Sequence, residues 1–148
     1  MIMQKISKVG SLVLVIGGRV KNMNLVIAIA AGGAIGAVLR HYAGLLVLSL
    51  IGFSFPWGTL GVNVIGSFFM GVLITYFAEV WNPSAEIRAF LTVGLLGAFT
   101  TFSAFSLDFV NLWQRGDVIS AMGYVLVSVI LSILALFAGM FLVRQVIA

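Results

Sequence analysis

From residue 24 onward, charges and prolines divide the chain into four apolar runs, each near the ~20 residues needed to cross a bilayer. They cover about 24–51, 58–77, 89–112 and 118–143. "GFSFPWG" with Pro56 turns the chain after the first run, "AEVWNPSAEIR" with Pro83 after the second, and "QRGD" after the third. In hydrocarbon a backbone must satisfy its own N–H and C=O groups, so runs this long and apolar fold as helices. Connections this short leave no room for a soluble domain, so any function must lie within the bilayer. Composition agrees: 62% of the residues are hydrophobic and 8% charged, where a soluble domain carries roughly 25% charged. The expected fold is an all-α integral membrane protein with four transmembrane helices, placed in the cell membrane.

The residues that are missing narrow the chemistry. There is no cysteine, which excludes disulfides and thiol catalysis, and a single histidine, His41, cannot alone form a metal site or a catalytic dyad. The net charge of +4 is spread over segment ends, as membrane-flanking charges are, and predicts no nucleic-acid partner. Glu79, Glu86, Asp108 and Asp117 are expected at or near span ends, leaving no acid at mid-membrane to carry protons or cationic drugs. With no Ser-His-Asp set, paired carboxylates or phosphate-binding loop, an enzyme is not expected.

Residues 1–22 read as an N-terminal extension ahead of the transmembrane domain, 23–148. Two lysines precede an apolar run at 9–16, which is too short to span and is followed by Arg19 and Lys21 rather than a small-residue cleavage site. Translation starting at Met23 is the expectation. Four spans put both termini on one side, with Arg88 and Arg144, while Arg40 and Arg115 belong to the other. The positive-inside bias is then nearly nil, so the chain can insert both ways up and two copies can pair antiparallel. The four basic residues of the extension would break that balance.

Polar residues recur every fourth position inside the spans. Gly32, Gly36 and Arg40 form one row, Thr59, Asn63 and Ser67 a second, and Tyr124, Ser128 and Ser132 a third. Small residues at this spacing commonly just let membrane helices approach closely. Asn63 argues for more, because an amide in an apolar span is costly unless it faces protein or water. The third run carries "GLLGAFTTFSAF" (94–105), where glycines and threonines suit a break in the helix. A pathway lined by neutral donors and the electropositive edges of phenyl rings suits a small anion. A lysine or arginine at its narrowest point would hold the ion too tightly to release it.

"GGAIGAVLRH" (32–41), "GTLGVNVIGSFFMG" (58–71) and "GLLGAFTTFSAFS" (94–106) together resemble the signature stretches of the Fluc, or CrcB-type, fluoride channels. The combination of "GTLxVN" and "GxxTTFSxF" is highly specific, and the resemblance runs from Met23 to the C-terminus. It implies an antiparallel, dual-topology homodimer with a broken third helix and two fluoride pores, each lined by both subunits. Position by position, it makes Asn63 the pore amide and gives Phe102 and Phe105, beside Ser103, the ring edges. Thr59, Ser128 and Ser132 would form a hydroxyl track, with Arg40 near a vestibule mouth. The backbone carbonyls of Gly97 and Thr100 would hold a structural sodium ion on the dimer axis. The implied function is passive export of fluoride that entered as HF and ionised in the cytoplasm, conferring fluoride resistance. The alternative, a small four-helix multidrug exporter, needs a glutamate in the first span, and 24–51 has none.

Overall fold

A computed structural model describes residues 23–52 and 54–148. The elements in order are α1 (Met23–Ile51), α2 (Trp57–Glu79), α3 (Ala85–Ala89), a π-helical stretch π1 (Phe90–Leu96), α4 (Gly97–Phe99), α5 (Phe102–Gln114) and α6 (Val118–Ile147). They make four membrane-length spans, the third of which runs through α3, π1, α4 and α5. The expected spans are all present, and the third starts earlier than its apolarity suggests. The Ser84 hydroxyl caps α3 by accepting from the Ile87 N–H at 3.4 Å, so helix begins in the polar part of the loop. Asp117 caps α6 in the same way, accepting from the Ser120 N–H at 3.3 Å. Gly116 takes a φ of 81° between α5 and that cap, a conformation in which side chains are strained.

Backbones approach backbones at two places. Where α2 crosses α6, a Cβ on Gly71 would overlap the Leu136 carbonyl, and one on Gly139 would overlap the Phe68 carbonyl. Where α1 lies along π1, Gly32 faces the Phe90 carbonyl and Gly36 the Leu95 carbonyl with equally little room. Without a hydrophobic drive between helices in lipid, such close contact is what holds spans together. The glycine rows seen in the sequence are in this respect packing devices.

Burial is the reverse of a soluble domain's. Large apolar residues cover the outside, with Ile119 88% and Val146 77% exposed. The interior is a small cluster of Leu60, Phe105, Leu112, Ala121 and Tyr124, joining α2, α5 and α6. At one end the exposed Arg144–Glu79 pair, at 3.2 Å, ties α6 to α2 and contributes little to stability.

Within the third span, Thr100 (φ −82°, ψ 158°) and Thr101 (φ −154°, ψ 121°) are extended, separating α4 from α5. These two residues place the groups described next.

Gly139→Leu should prise α2 from α6 and destabilise the protein by about 1–3 kcal/mol, the usual range for overpacking. Gly123→Ala, where an added Cβ meets nothing within 4 Å, should be neutral. Thermal melts in detergent followed by size-exclusion chromatography compare the two.

Candidate functional site

Extended residues in a membrane helix release backbone groups that lipid cannot satisfy. The helical ladder reaches as far as Thr100, whose N–H and hydroxyl both donate to the Leu96 carbonyl, at 3.0 and 3.1 Å. The next N–H leaves it. Thr101 N–H donates to Asn63 Oδ1 at 2.7 Å, and Asn63 Nδ2 donates back to the Thr101 carbonyl at 3.0 Å. The α2 amide thus pairs with Thr101 as a neighbouring strand would, and this pairing allows only one orientation of the amide. Thr101 also starts α5, its hydroxyl accepting from the Ala104 N–H at 3.1 Å. From α1, Arg40 Nη1 reaches the Thr100 carbonyl at 3.4 Å. Because the Thr101 N–H has turned to Asn63, the Gly97 carbonyl has lost its ladder donor, and Gly97 lies exposed on the surface of the chain.

Beside the break runs an open groove of about 300 Å³. Asn63 and Ser67 line it from α2, Phe102 and Phe105 from α5, and Ser128 and Ser132 from α6. One Asn63 N–H is committed to Thr101, and a primary amide has a second to offer the groove. The Ser128 hydroxyl is buried beside the Tyr124 hydroxyl, and no partner meets it at hydrogen-bond geometry. Phe102 is 77% exposed and Phe105 only 8%. Their ring centroids are 5.3 Å apart, and Phe105 continues to Tyr124 at 5.2 Å.

Five of the expected pathway residues, Asn63, Phe102, Phe105, Ser128 and Ser132, therefore share one surface. Arg40 and Thr59 line a separate cavity of about 300 Å³, and Thr101 borders both it and the groove. Ser103 stays outside both, exposed, with its hydroxyl 3.2 Å from that of Thr101. Of the two residues expected to offer carbonyls, Thr100 borders the groove and Gly97 does not.

Sequence reasoning missed three participants. Thr101 is the hinge of the break and the partner of Asn63. Tyr124 is fully buried, and its hydroxyl donates to Asp108 Oδ2 at 3.3 Å, with the Thr59 and Ser128 hydroxyls beside it. Asp108 is near the end of its span, yet within the helix rather than in the loop. It lies six residues inside α5, about 9 Å from the helix end. It faces a third cavity of about 290 Å³ with Thr59, Asn111 and Arg115. The i, i+4 row through Tyr124, Ser128 and Ser132 was the available signal for the tyrosine. Among the described residues no three His, Cys, Asp or Glu side chains could hold a metal ion together.

The family described as CrcB-like protein, camphor resistance (CrcB), matches residues 27–140. The chain is 50% identical over 126 residues to a protein of Rhodospirillum centenum named fluoride-specific ion channel FluC, covering 85% of this chain and 100% of that one. A Rhizobium meliloti protein of the same name is 48% identical over 125 residues, covering 84% and 100%. Another, from a Chelativorans species, is 52% identical over 118 residues, covering 80% and 94%.

Asn63→Ala should leave the Thr101 N–H and C=O unpaired at the break, at a cost of about 1–3 kcal/mol for each group left unsatisfied. Asn63→Asp keeps the acceptor for the N–H but sets a carboxylate oxygen against the carbonyl, and should lower stability too. Melting temperatures of both variants, against Ser67→Ala on the same helix, test whether Asn63 clasps the break.

Proposed function

The chain belongs to the CrcB family, and we propose on that membership and the geometry of the groove that it is a fluoride-selective channel exporting cytoplasmic fluoride passively. The observation that carries this reading is the buried Ser128 hydroxyl without a partner. A buried unsatisfied group costs about 1–3 kcal/mol. It sits in a groove that also holds the spare N–H of Asn63 and two phenyl rings. Donors and electropositive ring edges, with no fixed charge among them, suit a small anion that must bind and leave. An anion accepting from Ser128 completes the hydrogen bonding that the protein leaves open. Passive flow down the membrane potential requires no nucleotide and no catalytic group. The named relatives fit this reading, each being called a fluoride-specific ion channel.

The groove is open on one side, and Phe102 has little packing within its own chain, so a second copy is taken to close the pathway. Charge balance supports an antiparallel pair. Arg88 and Arg144 lie toward one end and Arg40 and Arg115 toward the other, so the basic residues match two against two. Residues 23–148 then carry no positive-inside preference. The interruption at Thr100–Thr101 is the functional break in the third span.

The same break fits a structural sodium ion. A hard cation prefers oxygen ligands, and the Gly97 carbonyl is both released from the ladder and exposed on the chain's surface. The Thr100 carbonyl already draws a cationic group, the Arg40 guanidinium. Gly97 and Thr100 from two copies would hold the ion, which would satisfy the carbonyls that the break sets free.

Ser128→Ala and Phe102→Ile separate conduction from packing. Removing an unpaired buried hydroxyl should leave stability unchanged or slightly raised, and replacing a ring 77% exposed on its own chain should cost that chain little. Both should cut fluoride efflux from proteoliposomes strongly, while chloride efflux stays at background. An ion-selective electrode reads both anions. Wild-type fluoride flux in both variants would remove the groove from the pathway, and equal chloride flux in the parent would remove the selectivity.

A further inference from the structure

The turn between α1 and α2 lies outside the groove, yet it reaches a residue directly behind it. Pro56 enters α2 with φ −78° and ψ 56°. Those angles make an inverse γ-turn, which the Trp57 N–H closes on the Phe55 carbonyl at 2.8 Å. Proline presets its own φ, so "FPW" is a stiff corner. From this corner the half-buried Phe55 ring packs against the interior cluster. It lies 4.6 Å from the Trp57 ring between centroids and meets Tyr124 edge-on, at 5.5 Å and 88°. Phe105 packs on the same tyrosine at 5.2 Å, tilted by 37°, so two rings confine it.

Tyr124 stands between two cavities. Its hydroxyl donates to Asp108, which with Thr59 lines the cavity of about 290 Å³, while Ser128 beside it lines the groove. A phenol has one proton. With that proton on Asp108 the phenol oxygen can only accept, and the donors beside it are the Thr59 and Ser128 hydroxyls. Ser128 stays outside hydrogen-bond geometry. A small tilt of the tyrosine ring toward Ser128 would close that bond and withdraw the serine proton from the groove.

We propose that Phe55 is a positioning residue of the channel, holding the Tyr124 ring where the phenol bonds Asp108 and the Ser128 proton stays open to fluoride. The proposal rests on the fluoride-channel reading and extends it to the α1–α2 turn. Aromatic pairs favour edge contacts with centroids about 4.5–7 Å apart, so the Phe55 edge prescribes one placement of the tyrosine ring. Leucine at position 55 loses that edge and leaves space beside the ring. The tyrosine then relaxes toward the serine, because buried polar groups take a partner when one comes within reach.

The test reads conduction and the phenol's hydrogen bonding separately. Phe55→Leu and Phe55→Tyr are compared with wild type for fluoride efflux from proteoliposomes, and size-exclusion profiles check assembly. A second set also carries Tyr42→Phe and Tyr76→Phe, both at exposed positions, which leaves Tyr124 as the single tyrosine of three. The Raman doublet of its ring then reports whether the phenol only donates or also accepts. Phe55→Leu should assemble, conduct at least about threefold more slowly, the lower range for residues in contact, and shift the doublet toward acceptance. Phe55→Tyr keeps the ring and should restore wild-type flux. Wild-type flux in Phe55→Leu overturns the proposal, as does slower flux with an unmoved doublet, which is what lost packing alone predicts. Should Phe55→Leu not assemble, Phe55→Met takes its place, and failure of both overturns the proposal by making Phe55 a residue of the fold alone. A parent protein that passes no fluoride overturns the channel reading itself, and the role of Phe55 with it.

Discussion

The structure turns on one requirement: a backbone group released inside hydrocarbon must find a partner. Thr100 and Thr101 break that ladder in the third span, and side chains from two other spans meet the freed groups. Asn63 takes both the N–H and the carbonyl of Thr101, while Arg40 reaches the carbonyl of Thr100. Neither side chain suits a lipid-facing position. Each is accommodated because the break gives it work, and the break persists because they are there. The polar residues of α1 and α2 and the irregular backbone of the third span therefore have to be explained together.

That interdependence fixes where the glycines fall. For Arg40 to reach the break, α1 and the third span must lie nearly in backbone contact, which Gly32 and Gly36 allow, while Gly66 lets the Thr100 and Phe99 side chains close on α2 beside Asn63. A π-helix has wider turns than an α-helix and is often found at functional sites. Here it immediately precedes α4 and the break. Gly71 and Gly139 bring α2 and α6 together in the same manner, which sets Asn63 and Ser67 opposite Ser128 and Ser132 across the groove.

The sequence displayed what depends on composition and period. Four spans follow from apolar runs between prolines and charges, and the rows through Asn63 and Ser128 follow from spacing by four. It concealed what depends on contact between distant residues. The Asn63–Thr101 pairing joins positions 38 apart, and nothing local marks Thr101 rather than Thr100 as the partner. The π register has no apolar period of its own, because lipid accepts leucine and valine on every side of the helix. Asp108 looked like a span-end acid because the loop charges Arg115 and Asp117 follow closely. Its partner there is the Tyr124 hydroxyl, which an apolar stretch of α6 carries to it.

In the proposed channel, Asn63 would both hold the fold and handle an anion. Its oxygen and one N–H are committed to Thr101, so the amide is oriented before any ion arrives, and its second N–H is aimed without further ordering. A donor fixed in advance loses little entropy on binding, which favours a site that fills and empties quickly over one that binds tightly. Under the same proposal Ser128 would contribute from α6, where its hydroxyl is buried without a partner. An aspartate would fail at both tasks, since it has no N–H for the Thr101 carbonyl and would repel the anion. A leucine would abandon the break to lipid. Glutamine would carry the amide one methylene further, past the spacing that the bonds of 2.7 and 3.0 Å require. Asparagine is the side chain that closes the backbone and still has a proton to offer.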